Sequence, residues 1–325
     1  MEIASLHRQS ILIDAHCDTL LALLDGERSL LTRSDKGHLD LPRLQEVGMT
    51  AQVFALFVPD AYAVHAPTAH ALRMIHHLYA SIEQANGLLI LARTAADIDA
   101  AHANGQVAAI LGMEGAEPLD GSLELFHIFH RLGLRVLGLT WNRRNAAADG
   151  LNCARSGGGL TPFGEALVRA CNEVGVIIDI AHLAPAGVRD VLDVSIQPII
   201  ASHANARALC DHPRNLTDEQ IAAIAARGGV IGATFVPDFI TRDRGQATLE
   251  RFLDHVDYLL AVAGPDHVAL GSDFDGMEAS PEIASVIDLP KVTAGLLARG
   301  HAVEAVQKIL GGNWLRVLRQ VWPQA

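Results

Sequence analysis

Eight short apolar runs, each followed by a helical pattern or a polar loop, constrain this chain more than any other feature. They are ILIDAHCD (11–18), MTAQVFALFV (49–58), VAAILGMEG (107–115), LRVLGLTW (134–141), GVIIDIAH (175–182), PIIASHA (198–204), GGVIGATF (228–235) and HVALGSDFDG (267–276). Near-continuous apolar strands fit a sheet covered on both faces, and such sheets are parallel because their crossover helices lie on those faces. Helical patterns fall between the runs, at 66–86, 161–175 and 216–229. The last opens on Thr217 with Gln220 three residues on, the pattern of a capping box, and it ends on glycines. Eight strands alternating with helices close most naturally into a single (β/α)8 barrel, with 1–325 as one domain. A doubly wound open sheet is the alternative, but it carries a glycine-rich turn after its first strand. Here that strand ends in His-Cys-Asp. Insertions are expected at 19–48 and at 142–160. The second, NRRNAAADGLNCARSGGGL, has the polar, glycine-rich composition of an active-site loop.

A barrel of this kind places its chemistry at the C-terminal ends of its strands. Those ends carry His16 and Asp18, Glu114, Trp141 and Asn142, His182, His203, and Asp273 with Asp275. Side chains two apart on a strand share a face, so His16 and Asp18 offer an imidazole and a carboxylate to one point. Any one of these residues has a plain structural reading. Together they would place several charged or basic groups in one cup, which is costly unless they are paired or bind a cation. Mixed imidazole and carboxylate ligands suit zinc, with manganese, iron or cobalt as alternatives. His16, Asp18, His182 and His203 could divide between two ions, with Glu114 as a bridge. Two ions about 3.5–4 Å apart can hold one hydroxide between them, leaving Asp273 free for proton transfer. Asp14 is expected on the face of His16 but deeper, and Asp14 and Asp179 are candidates for partners behind the ligands. Cys17 is expected on the opposite face as a packed thiol. Asp275, before Gly276, reads as a loop-capping carboxylate. His76 and His77 sit in a helical pattern and read as surface or helix-packing residues.

The chain has 25 basic and 37 acidic residues, a net charge of −12, and no basic or aromatic-interleaved patch. That speaks against nucleic acid as a partner, which needs a basic footprint. The four cysteines are scattered without C-x-x-C spacing and read as reduced thiols. No apolar run approaches the roughly 20 residues that span a bilayer. MEIASLHRQSILIDAH lacks the pattern of a signal peptide, and LRVLRQVWPQA reads as the end of an amphipathic helix, not a lipid-anchor signal. The expectation is a soluble, cytoplasmic protein without a membrane partner.

Taken in order, IDAHCD, GMEGAE, LTWNRRNAAADG, IIDIAH, IIASHA, HPRNLTDEQ and ALGSDFDG resemble the membrane (renal) dipeptidase family of the amidohydrolase superfamily. They span residues 13–276, and as a set they are specific. The resemblance implies a metal-dependent hydrolase whose barrel holds two Zn2+ ions bridged by Glu114. His16 and Asp18 match the ligands of one ion, and His182 and His203 those of the other. Asp273 matches the proton shuttle, and Arg214 matches the arginine that holds a dipeptide's terminal carboxylate. Substrates of the L-Xaa-D-Xaa type and a homodimer are suggested in the same way. One position departs. The best-known members carry a substrate-binding histidine where this chain has Trp141, whose indole donates one hydrogen bond and cannot become cationic. Stabilisation of the oxyanion then falls on the metal or on Asn142. Alternative readings are another amidohydrolase activity on the same site (lactonase, deaminase or β-lactam hydrolase) and a non-catalytic metal-binding scaffold.

Overall fold

The computed structural model describes residues 2–323, so Gln324 and Ala325 of the C-terminal segment lie outside the described residues. Among the described residues nine strands run β1 Ile13–Cys17, β2 Ala51–Phe57, β3 Leu89–Leu91, β4 Val107–Glu114, β5 Leu134–Gly138, β6 Ile177–Asp179, β7 Ile199–Ala201, β8 Val230–Ala233 and β9 Val268–Leu270. All pair in parallel. The β2–β4 pairing closes the ring β1–β2–β4–β5–β6–β7–β8–β9 into an eight-stranded barrel. Each strand of the ring falls inside one of the eight apolar runs. The short β3 was not expected. It pairs only with Val107–Ala109 of β4, outside the ring.

Helices lie where the 3.6-residue pattern puts them: Pro67–Gln84, Pro162–Val174 and Asp218–Ala226. The last keeps both hydrogen bonds of its capping box, Thr217 to the Gln220 amide and Gln220 back to the Thr217 amide. His76 and His77 lie on the first of these helices, His76 exposed and His77 half-buried. The insertion after β1 holds two short helices, Thr19–Leu24 and Leu41–Val47. The insertion after β5 is loop with one 3-10 segment, Leu151–Ser156. All four cysteines are free thiols. Among the described residues no helix is long and apolar enough to cross a membrane.

Two packing features position the site. The amphipathic helix Asn313–Val321 plugs the barrel at the starts of the strands, where Trp314 and Leu318 pack with Ile13, Val53, Ile110 and Ile200. Its Trp314 Nε1 donates to the Leu270 carbonyl at 2.9 Å, so the indole N–H is satisfied as it is buried. At the level above, Gly232 and Gly271 face the Ser202 carbonyl, and a Cβ on either would land on that oxygen. Gly271→Ala is expected to destabilise the fold by about 1–3 kcal/mol through overpacking, read as a lower denaturant midpoint at unchanged m.

Strand β1 carries one extra residue against β2 between Asp14 and Cys17. Such a bulge breaks the two-residue alternation. Ile13 and Ala15 pack inside the barrel, and Cys17 joins the outer core as expected. The expectation that Asp14 shares the face of His16 fails for this reason.

Candidate active site

The strand ends bring the predicted residues to one cup. His16 lies on β1, and Asp18 follows it as the residue before helix Thr19–Leu24. Glu114 is the last residue of β4. His182 and Asp273 follow β6 and β9 with φ of 66° and 65°, the left-handed region that costs a non-glycine residue about 1–3 kcal/mol. His203 follows β7, and all six groups are buried or nearly so.

Glu114 stands in the middle with its two oxygens turned to different partners. Its Oε1 lies 2.8 Å from His182 Nε2 and 3.6 Å from His203 Nε2, and its Oε2 lies 3.6 Å from His16 Nε2. His16 Nε2 is also 3.4 Å from Asp18 Oδ2 and 3.8 Å from Asp273 Oδ1. Ligand atoms of His16, Glu114 and His203 fall within 4.8 Å of one another, as do those of His16, Asp18 and Asp273. Gly276 keeps room beside this cluster, since a Cβ there would strike Asp18 and Asp273 carboxylate oxygens.

Electrostatics and bonding both point to a cation. Burial opposes a proton on His16, but the charges of Glu114 and Asp18 outweigh it and raise the imidazole well above its usual range. Burial likewise raises Glu114, yet His16 and His182 bring it well below the carboxylate range. Burial lowers His182 to about 4 and takes His203 down as well, so both present neutral imidazoles, the form that binds metal. His16 Nε2 and Asp18 Oδ1 are buried without hydrogen-bond partners. Orphaned donor and acceptor atoms of this kind are rare unless something else satisfies them. The residues present therefore fit a metal centre of imidazole and carboxylate ligands.

A cavity of about 680 Å³ lies over the cluster, lined among others by Phe57, Glu114, Trp141, Arg214 and Asp273. Arg214 is buried. Its Nη2 donates to the His203 carbonyl at 3.1 Å, its guanidinium lies 5.2 Å from the Phe239 ring, and its Nε has no partner. Trp141 packs against Phe57 at 5.2 Å and faces His182 at 6.0 Å. Asn142 reaches the cavity wall, and its Oδ1 lies 2.8 Å from His182 Nδ1. A more apolar cavity of about 340 Å³ shares His182 and Arg214 from the side of helices Pro185–Val194 and Asp218–Ala226, but Asp18, Glu114 and Asp273 do not line it.

The model of the membrane dipeptidase family, peptidase family M19, matches residues 1–324. The chain belongs to this family. It is a metal-dependent hydrolase of the dipeptidase type. The dipeptidase tcpJ of Claviceps purpurea is 35% identical over 301 residues, covering 89% of this chain and 71% of that protein. A metallo peptidase from Rhodobacter sphaeroides, solved with a phosphinate mimic of the dipeptide L-Ala-D-Ala, superposes with a TM-score of 0.91. It is 35% identical and covers 96% of this chain and 100% of its own. The solved dipeptidase AC, a metallo peptidase of family M19, matches at the same TM-score and identity, covering 96% of this chain and 99% of its own.

Within this dipeptidase, residues near the cluster divide by what they touch. Asp14 accepts from the Ser272 amide and hydroxyl at 2.7 and 2.6 Å and from Gln52 Nε2 at 2.8 Å, so it ties β1 to β2 and to the segment after β9. It bonds no side chain of the cluster. Asp275 accepts from Thr19 Oγ1 and the His38 amide, both at 2.6 Å, and from Arg28. It thus fastens the insertion after β1 beneath the cavity. Asp179 is different, because Ser202 connects it to His203. Sequence reasoning missed Ser202. It stands in the ASHA motif beside His203, but nothing in its spacing says which way its hydroxyl turns.

Proposed function

We propose that this chain is a zinc-dependent dipeptidase acting on dipeptides with a free C-terminal carboxylate, L-Xaa-D-Xaa among them. One observation carries the reading: a buried arginine with an unpartnered Nε shares a cavity with a carboxylate whose two oxygens face separate imidazoles. His16 and Asp18 would hold one ion, His182 and His203 the other, and Glu114 would bridge them. Bound there, zinc supplies a Lewis acid and makes water nucleophilic near neutral pH. The protein's own groups do the rest. Arg214 takes the terminal carboxylate by charge-assisted hydrogen bonds and so sets the register of the peptide. Asp273 accepts a proton at Oδ1 from the attacking water and delivers it to the departing amide nitrogen. Trp141 and Phe57 form the apolar wall opposite. The dipeptide mimic bound to the Rhodobacter sphaeroides relative supports the substrate class.

Arg214→Ala tests the carboxylate grip. Losing charged hydrogen bonds worth about 1.5–3 kcal/mol should raise KM for L-Ala-D-Ala about 10- to 100-fold. The C-terminal amide of the same dipeptide lacks the partner, so its slow turnover should change little between wild type and variant. Equal losses on both substrates would remove Arg214 from substrate binding.

A further inference from the structure

We infer that Asp179, acting through Ser202, is a positioning residue that fixes the tautomer of His203. The argument is proton bookkeeping along one chain of hydrogen bonds. Asp179 Oδ1 accepts from two backbone amides, Ala181 and Ser202, each at 2.9 Å. Its Oδ2 accepts from the Ser202 hydroxyl. Ser202 Oγ also lies 2.7 Å from His203 Nδ1. A serine has one proton to give and a carboxylate has none. With that proton committed to Asp179, the contact with His203 forms only if Nδ1 is the donor. Nε2 then keeps its lone pair, and it is Nε2 that faces the cluster, 3.0 Å from His182 Nε2 and 3.6 Å from Glu114 Oε1. The other tautomer would put a proton where a ligand lone pair is needed. All three residues are buried, so no bulk water substitutes for the missing partner.

The chain has a built-in direction that an isosteric change reverses. In Asp179→Asn the two amide donors hold the carboxamide oxygen at the Oδ1 position. The NH2 group then faces Ser202 and donates to its oxygen. Ser202 turns its own proton to His203 Nδ1, and the imidazole proton moves to Nε2. The variant changes one atom in the contact, yet it should cost zinc affinity at an atom it never touches.

The inference rests on His203 being a metal ligand, and the experiment separates the two ideas. Tautomers are read first in metal-free protein by nitrogen NMR of labelled histidine, with the His203 signals assigned by their loss in His203→Gln. Wild type should show Nδ1–H and Asp179→Asn should show Nε2–H. Zinc affinity is then measured by chelator competition, where removal of a ligand's hydrogen-bond partner typically costs about 10–100-fold. Ser202→Ala is the second variant, should Asp179→Asn fail to fold. It removes the link, so His203 should populate both tautomers and zinc affinity should again fall. A folded variant that keeps His203 as Nδ1–H and holds zinc within twofold of wild type would overturn the inference. Absence of zinc uptake by wild type would overturn the metal reading instead, and the tautomer measurement would still decide the role of Asp179.

Discussion

Asp273→Asn should leave zinc uptake unchanged and lower kcat on a good dipeptide by about 10²–10⁴-fold, the usual contribution of a positioned general acid–base group. Burial is the largest influence on Asp273 and raises its carboxyl well above the usual range. His16 and Arg214 oppose the rise, while Asp18 and Glu114 add to it. A carboxyl raised in this way takes up a proton more readily than an exposed aspartate, as a group that shuttles one must. Its Oδ1 lies at the edge of the cluster, 3.8 Å from His16 Nε2, and the side chain keeps 14% of its surface open to the cavity. Asparagine matches the shape but carries no exchangeable acid proton. Metal analysis of the variant beside its steady-state rate separates chemistry from binding. Near-normal turnover would end the proton-transfer role of Asp273. Asp275 would not replace it, because Thr19, Arg28 and His38 already occupy its oxygens.

Glu114→Ala should have the other large effect, on metal content itself. Both oxygens are lost, and with them the carboxylate that faces His16 on one side and His182 and His203 on the other. With two ions in the proposed site, metal content should fall from two equivalents to at most one. Turnover should drop below about a thousandth of wild type, since several kcal/mol of Lewis-acid stabilisation go with the pair of ions. Full occupancy in this variant would mean that Glu114 does not bridge.

The barrel and the membership of its mouth were legible in the sequence for a physical reason. Strands buried on both faces leave unbroken apolar runs, so a His, Asp or Glu at the end of such a run stands out. What escaped depends on contacts that sequence spacing does not encode. Leu89–Leu91 lies in the apolar run LLILA (88–92), which no ligand-type residue closes, and it pairs with a single neighbour outside the ring. The bulge in β1 adds one residue and moves Asp14 off the face of His16. His182 and Asp273 adopt left-handed backbone, which Asp and His enter more readily than most residues, but nothing in their spacing says which of the chain's Asp and His residues do so. Asp275 finds its partners more than 230 positions away. Ser202 was passed over because a serine beside a histidine is common, and only the hydroxyl's direction gives it a role.

The most direct test of the account is amino-acid release from L-Ala-L-Ala and L-Ala-D-Ala by the metal-free protein, before and after zinc is restored, with the C-terminally amidated forms alongside. The account predicts no cleavage without metal, cleavage of at least one free dipeptide with zinc, and little or none of the amides. A fully zinc-loaded protein that cleaves neither free dipeptide, or that cleaves the amides as fast, would contradict it and turn attention to lactone and β-lactam substrates on the same barrel.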